Sequence, residues 1–114
     1  MIKQILAAFP YRSDPRSNIF PIIPLAITFA DITKEFYALI DSGATISVFR
    51  AEVADELGIN IERGEETYLG GVGGRIKGYI HKLNIEIAGK NFSCPIVFSR
   101  EYLVSFNLLG RDSF

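Results

Sequence analysis

The sequence predicts a single small domain that is mainly β, closed or sandwich-like, with one short helix. Three features carry that expectation. Short runs rich in β-branched and aromatic residues recur along the chain, separated by Gly, Pro, Asn and Asp turn signals. Only residues 50–57 have convincing helical spacing. A length of 114 residues, 48% of them hydrophobic, suits one domain with a real core and argues against wholesale disorder.

Taken in order, residues 2–9 suit a first strand or arm that Pro10 closes. The polar stretch 11–18 reads as a loop. Residues 19–30 are apolar and β-branched, but Pro21 and Pro24 lack the N–H that a central ladder needs, so 25–29 is the better strand. Asp31-Ile32-Thr33-Lys34 then turns the chain into 35–40, completing a hairpin. Within 50–57, Val53, Ala54 and Leu57 share a face, and Gly58 stands where a C-terminal cap belongs. Residues 65–79 read as a hairpin centred on Gly70-Gly71-Val72-Gly73-Gly74. Residues 81–87 alternate, with Leu83, Ile85 and Ile87 on one face, and His81 is expected in solvent. Ala88-Gly89-Lys90-Asn91 turns them into 92–98. A last apolar run, 104–109, leads to Gly110-Arg111-Asp112-Ser113-Phe114.

Composition removes several function classes. Twelve basic against thirteen acidic residues leaves no field for nucleic acid or an anionic membrane surface. The apolar runs fall short of the roughly 18–20 residues that span a bilayer. The first ten residues have too short an apolar part for a signal peptide, so a cytoplasmic location is the default expectation. Cys94 is the one cysteine, which rules out an intrachain disulfide, and Cys/His metal spacing is absent. It reads as inert packing in a strand.

The chain is organised around Leu39-Ile40-Asp41-Ser42-Gly43-Ala44-Thr45. An apolar run, 36–40, delivers one carboxylate onto a tight Ser-Gly turn, and a second, 46–49, leaves it. Burying an ionised carboxylate costs free energy unless it is paired, hydrogen-bonded or protonated, so this is a poor plan for a core and a good one for a site. Asp41 is therefore the candidate catalytic residue; the competing reading is a turn aspartate that caps its own loop. Four glycines around Val72 lose extra backbone entropy on ordering, which suits a segment that moves or lets a ligand backbone lie against it. The competing reading there is a flexible hairpin tip.

Three segments in this order, Asp41-Ser42-Gly43-Ala44, the Gly70 to Gly74 hairpin centre, and Asn107-Leu108-Leu109-Gly110-Arg111-Asp112, resemble the retroviral-type (retropepsin-like) aspartic proteases. Asp-Ser-Gly alone is a weak motif; the combination is specific. The resemblance covers residues 25–114 of one expected domain, 1–114, and leaves 1–24 outside as an arm and loop. It implies a closed β-barrel with one catalytic half-site per chain, a homodimer, a peptide or polyprotein substrate, and no metal or cofactor. By the same matching, Ser42, Gly43 and Ala44 support the catalytic loop. Gly70, Gly71, Val72, Gly73 and Gly74 form a flap over an extended peptide, with Val72 at the tip. Ser47 satisfies a backbone group behind the loop. Leu108, Leu109 and Gly110 pack behind it, and Arg111 begins a final turn.

Two departures from the family pattern matter. Thr45 stands where many viral members carry an acid, which removes an ion pair with Arg111. The sequence stops at Phe114, where viral relatives run on into a further helical turn and an interface strand. The alternative function is accordingly a non-catalytic peptide-binding or assembly module on the same fold. A plain β-barrel whose glycines are only a loop is the third reading.

Overall fold

The computed structural model describes residues 11–13, 19–41, 43–71 and 74–111. Among these residues, eight strands and one α-helix follow in chain order: β1 (Tyr11–Ser13), β2 (Ile19–Phe29), β3 (Ile32–Ile40), β4 (Ser47–Arg50), α1 (Ala51–Leu57), β5 (Glu65–Gly71), β6 (Gly74–Ile87), β7 (Lys90–Ser99) and β8 (Asn107–Leu109). A single 3-10 turn, Ile61–Arg63, sits between α1 and β5. The sheet order is β1-β2-β3-β8-β4-β7-β6-β5, and a further β2–β6 pairing joins its two halves. Strands β2, β3, β8, β4, β7 and β6 thus form a closed six-stranded barrel, with β1 and β5 outside the ring. Closure removes the free edges that an open sheet would expose.

Three local expectations are corrected. Residues 11–13 are a strand paired with 19–21, not part of a loop. β2 runs unbroken through both prolines, from Ile19 to Phe29. Its register explains why: Phe29 and Ile32 close the hairpin, and pairs along an antiparallel ladder alternate, so Pro24 falls opposite Tyr37 in a pair that exchanges no backbone bonds. On its other side β2 meets, among the described residues, β6 only at residues 26–28 and β1 only at 19–21, so none of these pairs calls on Pro24 for an N–H. Pro21 lies just past the last β2–β3 pair, Ile22 with Leu39. The turn itself is tighter than expected, at Ala30 and Asp31, with Ala30 at φ 52°.

The remaining elements follow their residues. α1 buries Ala51, Val53, Ala54 and Leu57, and Gly58 ends it at φ 76°, a left-handed conformation that glycine adopts without steric cost. The core gathers the inward phase of each strand: Ile23, Leu25 and Ile27 of β2, Phe36, Ala38 and Ile40 of β3, Phe49 of β4, Leu83, Ile85 and Ile87 of β6, and Cys94, Ile96 and Phe98 of β7. Burying each large aliphatic or aromatic side chain contributes about 1.5–3 kcal/mol. His81, expected in solvent, is half-buried: its Nε2 lies 2.9 Å from the Ile61 carbonyl oxygen and its ring meets Phe98 edge-on. It fastens the 3-10 turn to β6 at the root of the β5–β6 hairpin. No helix among the described residues is long and apolar enough to cross a membrane.

Candidate active site

β3 ends at Ile40, and the next residue, Asp41, starts the loop that carries the candidate chemistry. Core burial of Phe36, Ala38 and Ile40 fixes the strand, and its parallel pairing with β8 fixes the loop. The Asp41 N–H donates to the Leu109 carbonyl (3.0 Å), and the Ala44 N–H donates back to the Asp41 carbonyl (3.1 Å). Asp41 as a residue is half-buried, and its carboxylate accepts the Gly43 N–H at Oδ1, 2.9 Å. One carboxylate oxygen is therefore oriented by its own loop. Ser42 lies outside the described residues, as do Val72, Gly73 and the arm 2–9.

The segment behind the loop clamps it from two sides. The Gly110 N–H donates to Ser47 Oγ (3.0 Å), and the Arg111 N–H donates to the Ala44 carbonyl (2.8 Å). Gly110 has no room for a side chain: a Cβ there would come within 2.2 Å of the Ile46 carbonyl oxygen. Leu109 is fully buried behind the loop. Leu108 does not join it; it points the other way, half-buried, into an open groove, because neighbours on a strand face opposite sides. Arg111 is exposed.

That groove, about 690 Å³, runs past the Asp41 loop at Gly43 and Ala44 and under the β5–β6 hairpin at Leu69, Gly70, Gly74 and Ile76. Val48, Val104 and Leu108 complete an apolar wall, and none of the lining side chains is charged. The hairpin over it is in register to its end, with Leu69 opposite Ile76, Gly70 opposite Arg75 and Gly71 opposite Gly74. A Cβ at Gly70 or Gly74 would meet nothing within 4 Å, so close packing does not explain these glycines. The Arg75 guanidinium lies 5.0 Å from the Tyr68 ring centroid, and the Tyr68 hydroxyl donates to Glu66 (3.1 Å). Across the groove, the Tyr102 hydroxyl donates to the Phe106 carbonyl (3.0 Å), and partial burial raises its pKa.

Asn107 heads the third family-like segment, but the sequence assigned it no role. It is buried, its Oδ1 accepts the Arg50 N–H (2.8 Å), and its Nδ2 donates to the Tyr37 carbonyl (2.9 Å). One side chain thus ties β8 to β3 and to the start of α1. Its partners lie far away in sequence, and only the apolar run beside it hinted at a structured segment.

Comparison with known proteins agrees with this geometry. A family model described as aspartyl protease matches residues 26–112, which include the Asp41 loop, the glycine hairpin and the Gly110 segment. Protein DDI1 homolog 1 of Caenorhabditis elegans is 36% identical over 82 residues, covering 65% of this chain. The match spans about a fifth (21%) of that relative's length. Among solved structures, EIAV protease complexed with an inhibitor superposes with a TM-score of 0.66 at 22% identity, covering 90% of each chain. The barrel is the retroviral protease fold, and the chain belongs to the aspartyl protease family.

Proposed function

We propose that the protein is an aspartic endopeptidase, with a site completed by the Asp41 residues of two identical chains. One observation carries the reading. Asp41 stands at a strand end, oriented by Gly43 and held by Leu109, beside an uncharged groove that a glycine-tipped hairpin overhangs. The sequence holds one Asp-Ser-Gly motif, so a two-carboxylate site needs a second copy on a two-fold axis.

The chemistry follows from electrostatics. Two carboxylates about 3 Å apart do not both ionise readily, so the pair shares one proton; aspartic proteases are the standard illustration of this behaviour. The ionised member takes a proton from a water held between the carboxylates, and that water's oxygen attacks the scissile carbonyl carbon. The protonated member donates to the carbonyl oxygen. Collapse of the tetrahedral intermediate breaks the C–N bond, with a proton passed to the leaving nitrogen. The apparent pKa values belong to the dyad as a unit. Gly43 and the glycines of the hairpin leave backbone groups open to an extended peptide, which would add as a strand while the hairpin closes over it.

The test is digestion of a diverse peptide mixture between pH 3 and 7, read by mass spectrometry, with Asp41→Asn run alongside. Cleavage that vanishes in a folded Asp41→Asn protein is the expected outcome. Identical peptide patterns from the two proteins, with a dimer present, would contradict the enzyme reading and favour a peptide-binding module.

A further inference from the structure

A second groove, about 820 Å³, lies between β3 and α1 and includes no residue of the Asp41 loop. Its strand wall is the outward phase of β3, where Leu39 pairs with Ile22 and Tyr37 with Pro24 across the hairpin, and Glu35 follows. Its helix wall carries Glu52 and Glu56, four residues apart and therefore on one face of α1. Phe106 borders the same groove. Tyr37 is 62% exposed and Phe106 42%. A contiguous apolar patch of this kind marks a contact surface.

The two walls are held at a fixed spacing. Buried Asn107 donates from Nδ2 to the Tyr37 carbonyl (2.9 Å) and accepts at Oδ1 the N–H of Arg50 (2.8 Å), where α1 begins. The bond to β3 uses the backbone of Tyr37 and leaves its ring free. Charge then narrows the occupant. The groove is lined by three carboxylates and one guanidinium. Arg50 pairs with Glu52, whereas Glu35 and Glu56 have no ion pair among the described residues. The excess is negative, which repels phosphates, nucleic acid and anionic lipid. Among the described residues these carboxylates do not gather into a metal site, so the complementary cations must arrive spaced apart, as on a peptide. A second copy docking by this same face about a two-fold axis would set like carboxylates against each other.

We propose that this groove binds a segment of a second, different protein, in which an aromatic or aliphatic side chain stands near lysine or arginine. The apolar side chain packs against Tyr37, Leu39 and Phe106, and the cation reaches Glu35 or Glu56. This binding is separate from cleavage and does not use Asp41.

The test selects a displayed library of random peptides on the full parent chain and, in parallel, on Asp41→Asn. Both selections should enrich peptides that combine an aromatic or aliphatic residue with lysine or arginine. One such peptide, synthesised and labelled for fluorescence anisotropy, should bind about tenfold more weakly to Tyr37→Ala. Glu35→Gln combined with Glu56→Gln should cost about two- to fivefold, and added salt should weaken binding to the parent. All three substituted side chains are exposed, and unchanged circular dichroism and Tm would show that the fold is kept. Selections that yield no basic-apolar peptides, or peptides whose affinity ignores Tyr37 and both glutamates, overturn the proposal. So does sedimentation showing a self-associated parent that Tyr37→Ala dissociates, because it assigns the groove to a second copy. Equal binding by Asp41→Asn keeps this result distinct from success or failure of the endopeptidase reading.

Discussion

Replacing Gly110 by alanine adds one methyl group where the Ile46 backbone already stands. The added Cβ would lie 2.2 Å from the Ile46 carbonyl oxygen, 2.5 Å from its carbonyl carbon and 2.8 Å from its nitrogen. These distances fall short of ordinary carbon contacts by about 1 Å. None of the three atoms belongs to a side chain that could swing aside, so the segment 110–111 must move away from the Asp41 loop. Overpacking of this sort costs about 1–3 kcal/mol. The movement also strains the bonds from Gly110 N–H to Ser47 Oγ and from Arg111 N–H to the Ala44 carbonyl, each worth about 1 kcal/mol. The sum, about 3–5 kcal/mol, is a large share of a typical total of roughly 5–15 kcal/mol. For a domain of this size it lowers Tm by roughly 10–20 °C. Urea and thermal unfolding of Gly110→Ala would measure it, beside two controls. Ser47→Ala removes the acceptor of the Gly110 N–H without adding bulk and should cost about 1–3 kcal/mol. Gly70→Ala, with nothing within 4 Å of its Cβ, should stay within about 1 kcal/mol of the parent. A Gly110→Ala protein that melts within a few degrees of the parent would refute the clamp.

Asn107→Leu keeps the branched shape and the number of heavy atoms but leaves the Arg50 N–H and Tyr37 carbonyl without their partner, and should cost about 2–4 kcal/mol in urea unfolding; a loss under about 0.5 kcal/mol would show that the two bonds are dispensable. Tyr102 gives a pH dependence. Burial raises its pKa above 10.0, so the unfolded chain releases this proton first, and stability is fully present below pH 10 and falls as pH rises through the folded value. Tyr102→Phe should flatten the alkaline decline measured between pH 8 and 11. Some slope should remain from the exposed Lys77, whose pKa its hydrogen bond and charge partner Glu66 raise in the same sense.

Those perturbations also mark which features one sequence could reveal. Leu83, Ile85 and Ile87 alternate because one face of β6 is core, and Gly58 follows Leu57 because the helix needs a left-handed residue there; both signals are local, and both were legible. Asp41 and Gly70 to Gly74 were legible as anomalies, a charge at the end of an apolar strand and glycines where a strand should pack. Pro21 and Pro24 misled, since their tolerance depends on which ladder pairs call on their N–H, and that is a property of the closed barrel. Asn107 and His81 were misjudged for different reasons. The role of Asn107 depends on Tyr37 and Arg50, which arrive from distant strands, whereas His81 was expected in solvent although it shares the phase of Leu83, Ile85 and Ile87, the buried face of β6. Leu108 and Leu109 read as equivalent, and only the register of β8 sends one to the groove and the other to the core.

The central proposal is that one active site uses Asp41 from two chains, and subunit mixing tests it most directly. Parent protein and Asp41→Asn are combined at constant total concentration, allowed to exchange, and assayed on one cleavable peptide. If a site needs both carboxylates, activity falls as the square of the parent fraction, to about one quarter in an equal mixture. Activity that falls only in proportion, to about one half, would mean that each chain cleaves alone and would contradict the shared site.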